Sequence, residues 1–328
     1  MKSVGIKGLS SYVPERIMTN FEFEKIIDTS DEWIRTRTGI EERRFASPEQ
    51  ATSDLCYEAT QKLLATMKMD PQEIDFIMVC TCTPDYPVPS TACVLQSKLN
   101  LLGVPAVDIN AACSGFMYGL AMATSMVQTG LYKNVLVIGA ETLSRIMDMQ
   151  DRNTCVLFGD GAAAAIIGEV EEGSGILATH LGAEGEDEGI LQIPGGGSRY
   201  PSTLESVHAK KQFVQMKGQN VYKFAVHALP EATLAALEKA KVEASQIARF
   251  FPHQANLRII EAAAKRMNVS SDKFHVNLHK VGNTSAASVG LALADALEKG
   301  MVKKGDYIAL TGFGAGLTYG SVVMKWAY

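Results

Sequence analysis

Three side chains in this sequence have the types and surroundings that acyl transfer needs: Cys113, His253 and Asn283. Cys113 lies in Ala111-Ala112-Cys113-Ser114-Gly115-Phe116, after a strand-like run from Val104 to Asn110 and before a helical pattern. A cysteine at such a turn faces the positive end of a helix dipole, which lowers the thiol pKa. The thiolate is the nucleophile, so the position suits a covalent acyl-enzyme. A free cysteine buried at the same place would be an inert core residue. His253, in Pro252-His253-Gln254-Ala255-Asn256, follows the run Arg249 to Pro252 and falls at the end of a buried strand, where a satisfied core histidine would fit equally. Asn283, in Gly282-Asn283-Thr284-Ser285-Ala286-Ala287-Ser288, sits among small residues, where a helix N-cap is the plain alternative. Together they supply a nucleophile, a proton-handling ring and an amide donor at strand ends, a consistent set for acyl transfer.

The elements that must position them alternate. Short apolar runs (Phe76 to Cys80, Val135 to Gly139, Ala162 to Ile167, Phe250 to Phe251, Tyr307 to Leu310, Ser321 to Met324) are interleaved with helical patterns. The patterns cover Thr52 to Met67, Ser114 to Thr129, Val221 to Lys241, Leu257 to Met267 and Ala286 to Lys299. That alternation predicts an α/β architecture. The halves echo one another at a constant offset of 173 residues (247 − 74 and 312 − 139), which carries the Cys113 turn onto Ala286. Two copies of one α/β unit are expected, residues 1–172 with the nucleophile and 173–328 with His253 and Asn283, and sites form at such junctions. Glu184 to Phe213, acidic and then glycine-rich, reads as an exposed loop between the halves. Pro194-Gly195-Gly196-Gly197-Ser198 lacks the following Lys-Ser/Thr and helix of a phosphate cradle. Gly312-Phe313-Gly314-Ala315-Gly316 is followed by one strand-like run, so it reads as a tight turn and not as a dinucleotide fingerprint.

Composition narrows the class. The 328 residues are 47% apolar and 20% charged, ordinary for a soluble globular enzyme. A net charge of -5 gives no reason to expect nucleic acid as a partner. Six cysteines are too few for a disulfide framework, and Cys80-Thr81-Cys82 is too close for a metal knuckle. No membrane span or signal peptide is expected, and a reducing cytoplasm would keep Cys113 reduced. His180, His208 and His227 have no partner visible in the sequence, and His275 and His279, four apart, have a metal spacing only on a helix, whereas Phe274 to Leu278 looks extended.

The motifs around Cys113, His253 and Asn283 closely resemble those of β-ketoacyl-acyl-carrier-protein synthase III, a condensing enzyme of the thiolase superfamily. The likeness extends to Asp28-Thr29-Ser30-Asp31-Glu32-Trp33-Ile34, Arg37-Thr38-Gly39-Ile40, Phe158-Gly159-Asp160-Gly161-Ala162 and Phe313-Gly314-Ala315-Gly316. The resemblance implies a five-layered αβαβα thiolase-like fold in a homodimer. It implies an acyltransferase that joins an acyl-CoA primer to malonyl-acyl carrier protein and releases carbon dioxide, initiating fatty-acid synthesis. Cys113 would carry the acyl group, and His253 and Asn283 would hydrogen-bond the malonyl thioester oxygen. Backbone amides of Cys113 and Ala315 would form an oxyanion hole, although the family more often has glycine at position 315. Thr29, Trp33, Arg37, Arg152, Gly218 and Asn256 match the CoA site, with Trp33 and Arg152 stacking on adenine. Arg258, Lys265, Arg266 and Lys223 match a docking patch for the acidic carrier protein. Val88 stands where many relatives have the phenylalanine that floors the partner protomer's acyl pocket, which predicts a roomier pocket here. No metal or cofactor is expected. Rival readings are a relative in specialised metabolism with longer or branched donors, a cysteine-dependent thioester hydrolase, and an inactive scaffold.

Overall fold

The computed structural model describes residues 2–185 and 189–328. Glu186, Asp187 and Glu188, part of the expected loop, lie outside the described residues. The major strands are β1 (Val4–Tyr12), β2 (Phe76–Cys80), β3 (Ala106–Ile109), β4 (Val135–Thr142), β5 (Asp160–Glu169), β6 (Gly175–Ala183), β7 (Ile247–Pro252), β8 (Tyr307–Gly314) and β9 (Thr318–Lys325). The major helices are α1 (Thr52–Met67), α2 (Thr91–Lys98), α3 (Gly115–Gln128), α4 (Gly218–Ala240), α5 (Leu257–Arg266) and α6 (Ser288–Glu298).

The first sheet has the order β1-β5-β4-β2-β3 and the second β7-β8-β9-β6. The first sheet has two parallel pairs (β3 with β2 and β2 with β4) and the second has one (β7 with β8), and in each the parallel part is continued by two antiparallel strands. Strands β4 and β5 are apolar almost throughout because helices cover both faces of their sheet. Along β2, Ile77 and Val79 pack against α1, while Met78 and Cys80 face the centre of the molecule. The centre is filled by α3 and α6, whose apolar residues recur at helical spacing: Phe116, Leu120 and Ala123 on one, Val289, Ala292 and Ala296 on the other. Helices α4 and α5 cover the outer face of the second sheet. The five layers are therefore α1 and α2, the first sheet, α3 and α6, the second sheet, α4 and α5.

Each central helix is entered through one turn of 3-10 helix, Ala112–Ser114 before α3 and Ser285–Ala287 before α6. Each turn starts on a residue with positive φ, Ala112 at 45° and Ser285 at 47°. Close approach of strand to turn is what glycine permits here. A Cβ on Gly139 of β4 would run into the carbonyl oxygen of Ala286. A Cβ on Gly312 of β8 would come to 3.1 Å from the carbonyl oxygen of Cys113.

The expected loop after Glu184 needs correction. Leu191–Gln192 pairs antiparallel with Gln215–Met216, and Leu204–His208 is a short helix. Leu191, Ile193 and Val214 pack into a core with Leu143 and Phe158, so the apolar flanks of the glycine-rich stretch are folded inward. Helix α4 also starts earlier than its pattern, at Gly218, and carries Pro230 inside it. Among the described residues, no helix is long and apolar enough to cross a membrane.

Candidate active site

Cys113 lies at the meeting of two cavities. The outer one, of about 700 Å³, is lined by Trp33, Arg37, Arg152, Gly218, Asn256 and Arg258 and reaches Asn283 and Cys113. The inner one, of about 260 Å³, continues beyond Cys113 between Leu143, Ile146, Ile193 and Val214 and includes Ala315. A polar approach and an apolar end meet at one sulfur.

The turn at Cys113 is held by its neighbours. Ser114 donates from Oγ to Thr318 at 2.8 Å, and Thr318 donates to the carbonyl of Ala111 at 2.9 Å. A Cβ at Gly314 would sit 2.6 Å from the Cys113 backbone nitrogen, so the end of β8 brings Ala315 beside it. Ala315 has no positive φ, so its methyl group is accommodated there. Against the helix-dipole expectation, burial dominates and pushes the Cys113 thiol up to about 12; the Ser285 hydroxyl pulls it down and the nearby Glu141 raises it further. The resting group is a thiol.

His253 follows the last residue of β7 and donates its backbone N–H to Thr311 of β8 at 2.7 Å. Gln254, fully buried, pins the turn by donating to the carbonyls of Pro252 and His275 and accepting from Asn277 N–H. The imidazole packs edge-on against Phe313 at 5.1 Å, and its Nδ1 lies 2.6 Å from the Ser288 hydroxyl. Burial pushes the ring down to about 3, so it is neutral. Among the described residues, its side chain hydrogen-bonds Ser288 alone. With the Ser288 hydroxyl as donor to Nδ1, the tautomer assigned here, the ring proton resides on Nε2.

Asn283 is pinned through its backbone to the Phe158 segment: its N–H donates to Leu157 and its carbonyl accepts from Gly159. Its Oδ1 accepts the N–H of Ser285 at 2.9 Å. This fixes the amide and leaves Nδ2 as a donor for the outer cavity. The same bond explains the capping look of the residue in sequence.

Around the outer cavity, the guanidinium carbons of Arg152 and Arg37 lie 5.1 and 5.3 Å from the Trp33 ring centre. Asn256 caps α5 through Arg258 N–H and ties it to the carbonyl of Arg37. Thr29 does not line the cavity; its hydroxyl is buried without a partner. Of the basic residues, Arg258, Lys265 and Lys223 are exposed, while Arg266 is paired with Glu231 at 3.0 Å. Lys223 borders a separate cavity with His180 and His227. Val88 lines neither site cavity and is 85% exposed.

The chain matches the family model described as 3-oxoacyl-[acyl-carrier-protein] synthase III over residues 107–185 and its C-terminal counterpart over 237–326. It is 62% identical over 328 residues to beta-ketoacyl-[acyl-carrier-protein] synthase III of Fusobacterium nucleatum, covering 100% of both chains. The chain belongs to the 3-oxoacyl-acyl-carrier-protein synthase III family. A further synthase III, from Clostridioides difficile, is 51% identical, with 98% of each chain covered. The crystal structure of synthase III from Aquifex aeolicus matches with a TM-score of 0.91 at 44% identity, over 98% of this chain and 100% of that one.

In this synthase Cys113 and Asn283 line one cavity, while His253 is held beside it against Phe313 of β8, and several polar neighbours escaped the sequence reading. Ser285 and Ser288 lay inside a quoted motif without being given roles. Glu141 ends an apolar run, and a carboxylate at the inner end of a buried strand was the available signal. Cys82, which lines the inner cavity, points its sulfur at Glu141 at 3.3 Å.

Proposed function

We propose that Cys113 takes the acyl group from an acyl-CoA and passes it to the carbanion made from malonyl-acyl carrier protein. The enzyme is an acyltransferase that initiates fatty-acid synthesis by this condensation. The observation that supports these residue roles most is the position of Cys113 between a cavity rich in arginine and an apolar one. The thioester enters through the first, and the acyl chain lies in the second.

In the first step the Cys113 sulfur attacks the thioester carbonyl. The N–H groups of Cys113 and Ala315 receive the tetrahedral oxyanion, and CoA leaves. In the second step the malonyl thioester oxygen accepts from His253 Nε2–H and Asn283 Nδ2–H. These neutral, preoriented donors favour the charge that develops on oxygen as carbon dioxide departs. The carbanion then attacks the acyl-Cys113 carbonyl, giving 3-ketoacyl-acyl carrier protein and a free thiol. A hydrolase would need water activated beside the acyl-enzyme, whereas His253, with Nδ1 bonded to Ser288, offers a donor.

Adenine would enter between Trp33 and Arg152. Stacking on both sides needs two gaps of about 3.5 Å, so the guanidinium moves outward from its present 5.1 Å. Gly218 and Arg37 border the pantetheine path, and Asn256 holds its wall. Arg258, Lys265 and Lys223 offer positive charge to the acidic carrier protein, with Arg266 shared with Glu231. Residues 1–172 and 173–328 act as two pseudo-symmetric halves, a reading supported by the matched strand orders. The protein works as a homodimer in which the exposed Val88 reaches the partner's acyl pocket. None of these steps is routed through a metal or cofactor.

Separating the two steps tests the assignment. His253→Ala and Asn283→Ala should each slow decarboxylation of malonyl-acyl carrier protein about 100-fold and leave acylation of Cys113 by acetyl-CoA near wild type. Equal loss of both steps would contradict it.

A further inference from the structure

The condensation above gives no role to Glu141, although this carboxylate is fully buried near the end of β4. It gathers donors from two segments. From the stretch after β2, Thr83 Oγ1 donates to Oε2 at 2.6 Å, Thr81 Oγ1 at 3.1 Å and Cys82 N–H at 3.1 Å. From the turn before α6, Ser285 Oγ donates to Oε1 at 2.9 Å. So many donors mark a built acceptor and not a stranded charge. Ser285 has a second bond, and that one leads to the site. Its backbone N–H donates to Asn283 Oδ1 at 2.9 Å, the bond that leaves Asn283 Nδ2 for the outer cavity. Ser285 makes this bond from φ 47°, a conformation costly for any residue with a side chain. A hydrogen bond to a buried carboxylate is of the strong kind and holds the residue there.

The chain carries the same turn twice. At the offset of 173 residues, Asn110 and Ala112 correspond to Asn283 and Ser285. Asn110 Oδ1 accepts the Ala112 N–H at 3.2 Å, and Ala112 stands at φ 45° with no hydroxyl to anchor it. The position corresponding to Glu141 is Gly314, where a Cβ would sit 2.6 Å from the Cys113 backbone nitrogen. Hydroxyl and carboxylate are thus confined to the turn that carries Asn283. The first half forms its turn without them, so the turn itself does not require the pair. What distinguishes the second turn is the amide it holds.

We propose that Glu141 is a positioning residue for decarboxylation: through the Ser285 hydroxyl it holds the Ser285 N–H on Asn283 Oδ1 and so fixes the amide with Nδ2 aimed at the malonyl thioester oxygen. Donors stabilise developing charge best when they are oriented before it appears. An amide free to rotate about its side chain loses that advantage. Glu141 itself touches no substrate and exchanges no proton in this role. It acts on the second step of the condensation, through two hydrogen bonds and one backbone turn.

The inference rests on Asn283 being a donor to the malonyl thioester. Its test is a double-mutant cycle on the full-length enzyme. Decarboxylation of malonyl-acyl carrier protein without primer is timed in wild type, Asn283→Ala, Ser285→Ala and the double variant. Ser285→Ala should be about 10-fold slow. The double variant should stay within about twofold of Asn283→Ala, because a misaimed amide costs nothing once the amide is gone. A merely structural loss would multiply the two effects instead. Glu141→Gln, alone and with Asn283→Ala, should repeat the pattern, since a side-chain amide has one acceptor oxygen for donors that face both ends of the carboxylate. Ser285→Ala leaves the carboxylate its donors from residues 81–83, so it reports even if Glu141→Gln does not fold. A wild-type rate in Ser285→Ala, or a double variant slowed by the product of the single effects, would overturn the positioning. A wild-type rate in Asn283→Ala would instead remove the Asn283 reading beneath it.

Discussion

At the residue scale, burial sets the protonation of the groups proposed to react. It keeps Cys113 a thiol and His253 neutral, so the site at rest contains a proton to be moved and a ring that only donates. The His253 shift has a stability consequence whose sign follows from linkage. Above the unfolded value of 6.5, neither the folded nor the unfolded chain protonates this ring, and its contribution is complete. As pH falls from 6.5 toward about 3, the unfolded chain binds a proton that the folded chain refuses, and stability is lost. Between about pH 7.5 and about pH 5 that loss should be about 2 kcal/mol, read as a drop in the urea midpoint. His253→Gln should show a smaller drop over the same interval; an identical drop would contradict the neutral buried ring. Cys113, His253 and Asn283, the proposed site residues, stand out in sequence because each sits in a motif of distinctive neighbours. Glu141 and Ser288 were not, because their partners are far away in the chain and only folding brings Glu141 to Ser285 or Ser288 to His253.

At the element scale, two strands meet two turns crosswise. Gly139 of β4 abuts the turn before α6, and Gly312 of β8 abuts the turn before α3. Each half thus supports the turn of the other, which places Cys113 and Ser285 side by side at the shared centre. The two glycines do not leave equal room. Gly139→Ala meets a backbone oxygen that cannot step aside, and it should cost about 3 kcal/mol or more in urea unfolding. Gly312→Ala, whose nearest neighbour is at 3.1 Å, should cost less and should slow Cys113 acylation by shifting its turn. Equal stability in the two variants would argue against this crosswise support. The long helices were legible to within a few residues because their apolar period is regular. The stretch after Gly189 was misread because a two-residue pairing, Leu191–Gln192 with Gln215–Met216, leaves no periodic signal.

At the scale of the whole molecule, the first sheet ends on β3, a short strand with a free edge and an exposed Val107. Nearby in the chain, Tyr86, Val88 and Leu102 are also exposed, with Val88 at 85% and Leu102 at 82%. An apolar edge of this kind calls for a partner. Sedimentation should give twice the 35.4 kDa chain mass, and Val88→Asp should shift the population toward monomer. A wild-type monomer at working concentration would remove Val88 from the acyl pocket. The five-layered arrangement was accessible from sequence through the repeat and the family motifs, but the shape of the inner cavity was not, since its wall is assembled from Leu143, Ile193 and Val214. The central claim is that Cys113 carries the acyl group between two substrates. Its most direct test is to incubate the protein with labelled acetyl-CoA, map the label by peptide mass, then add malonyl-acyl carrier protein. The label should be found on Cys113 and then pass into 3-ketoacyl-acyl carrier protein as carbon dioxide is released. Label on another residue, or on Cys113 but lost only as free acetate, would contradict the account.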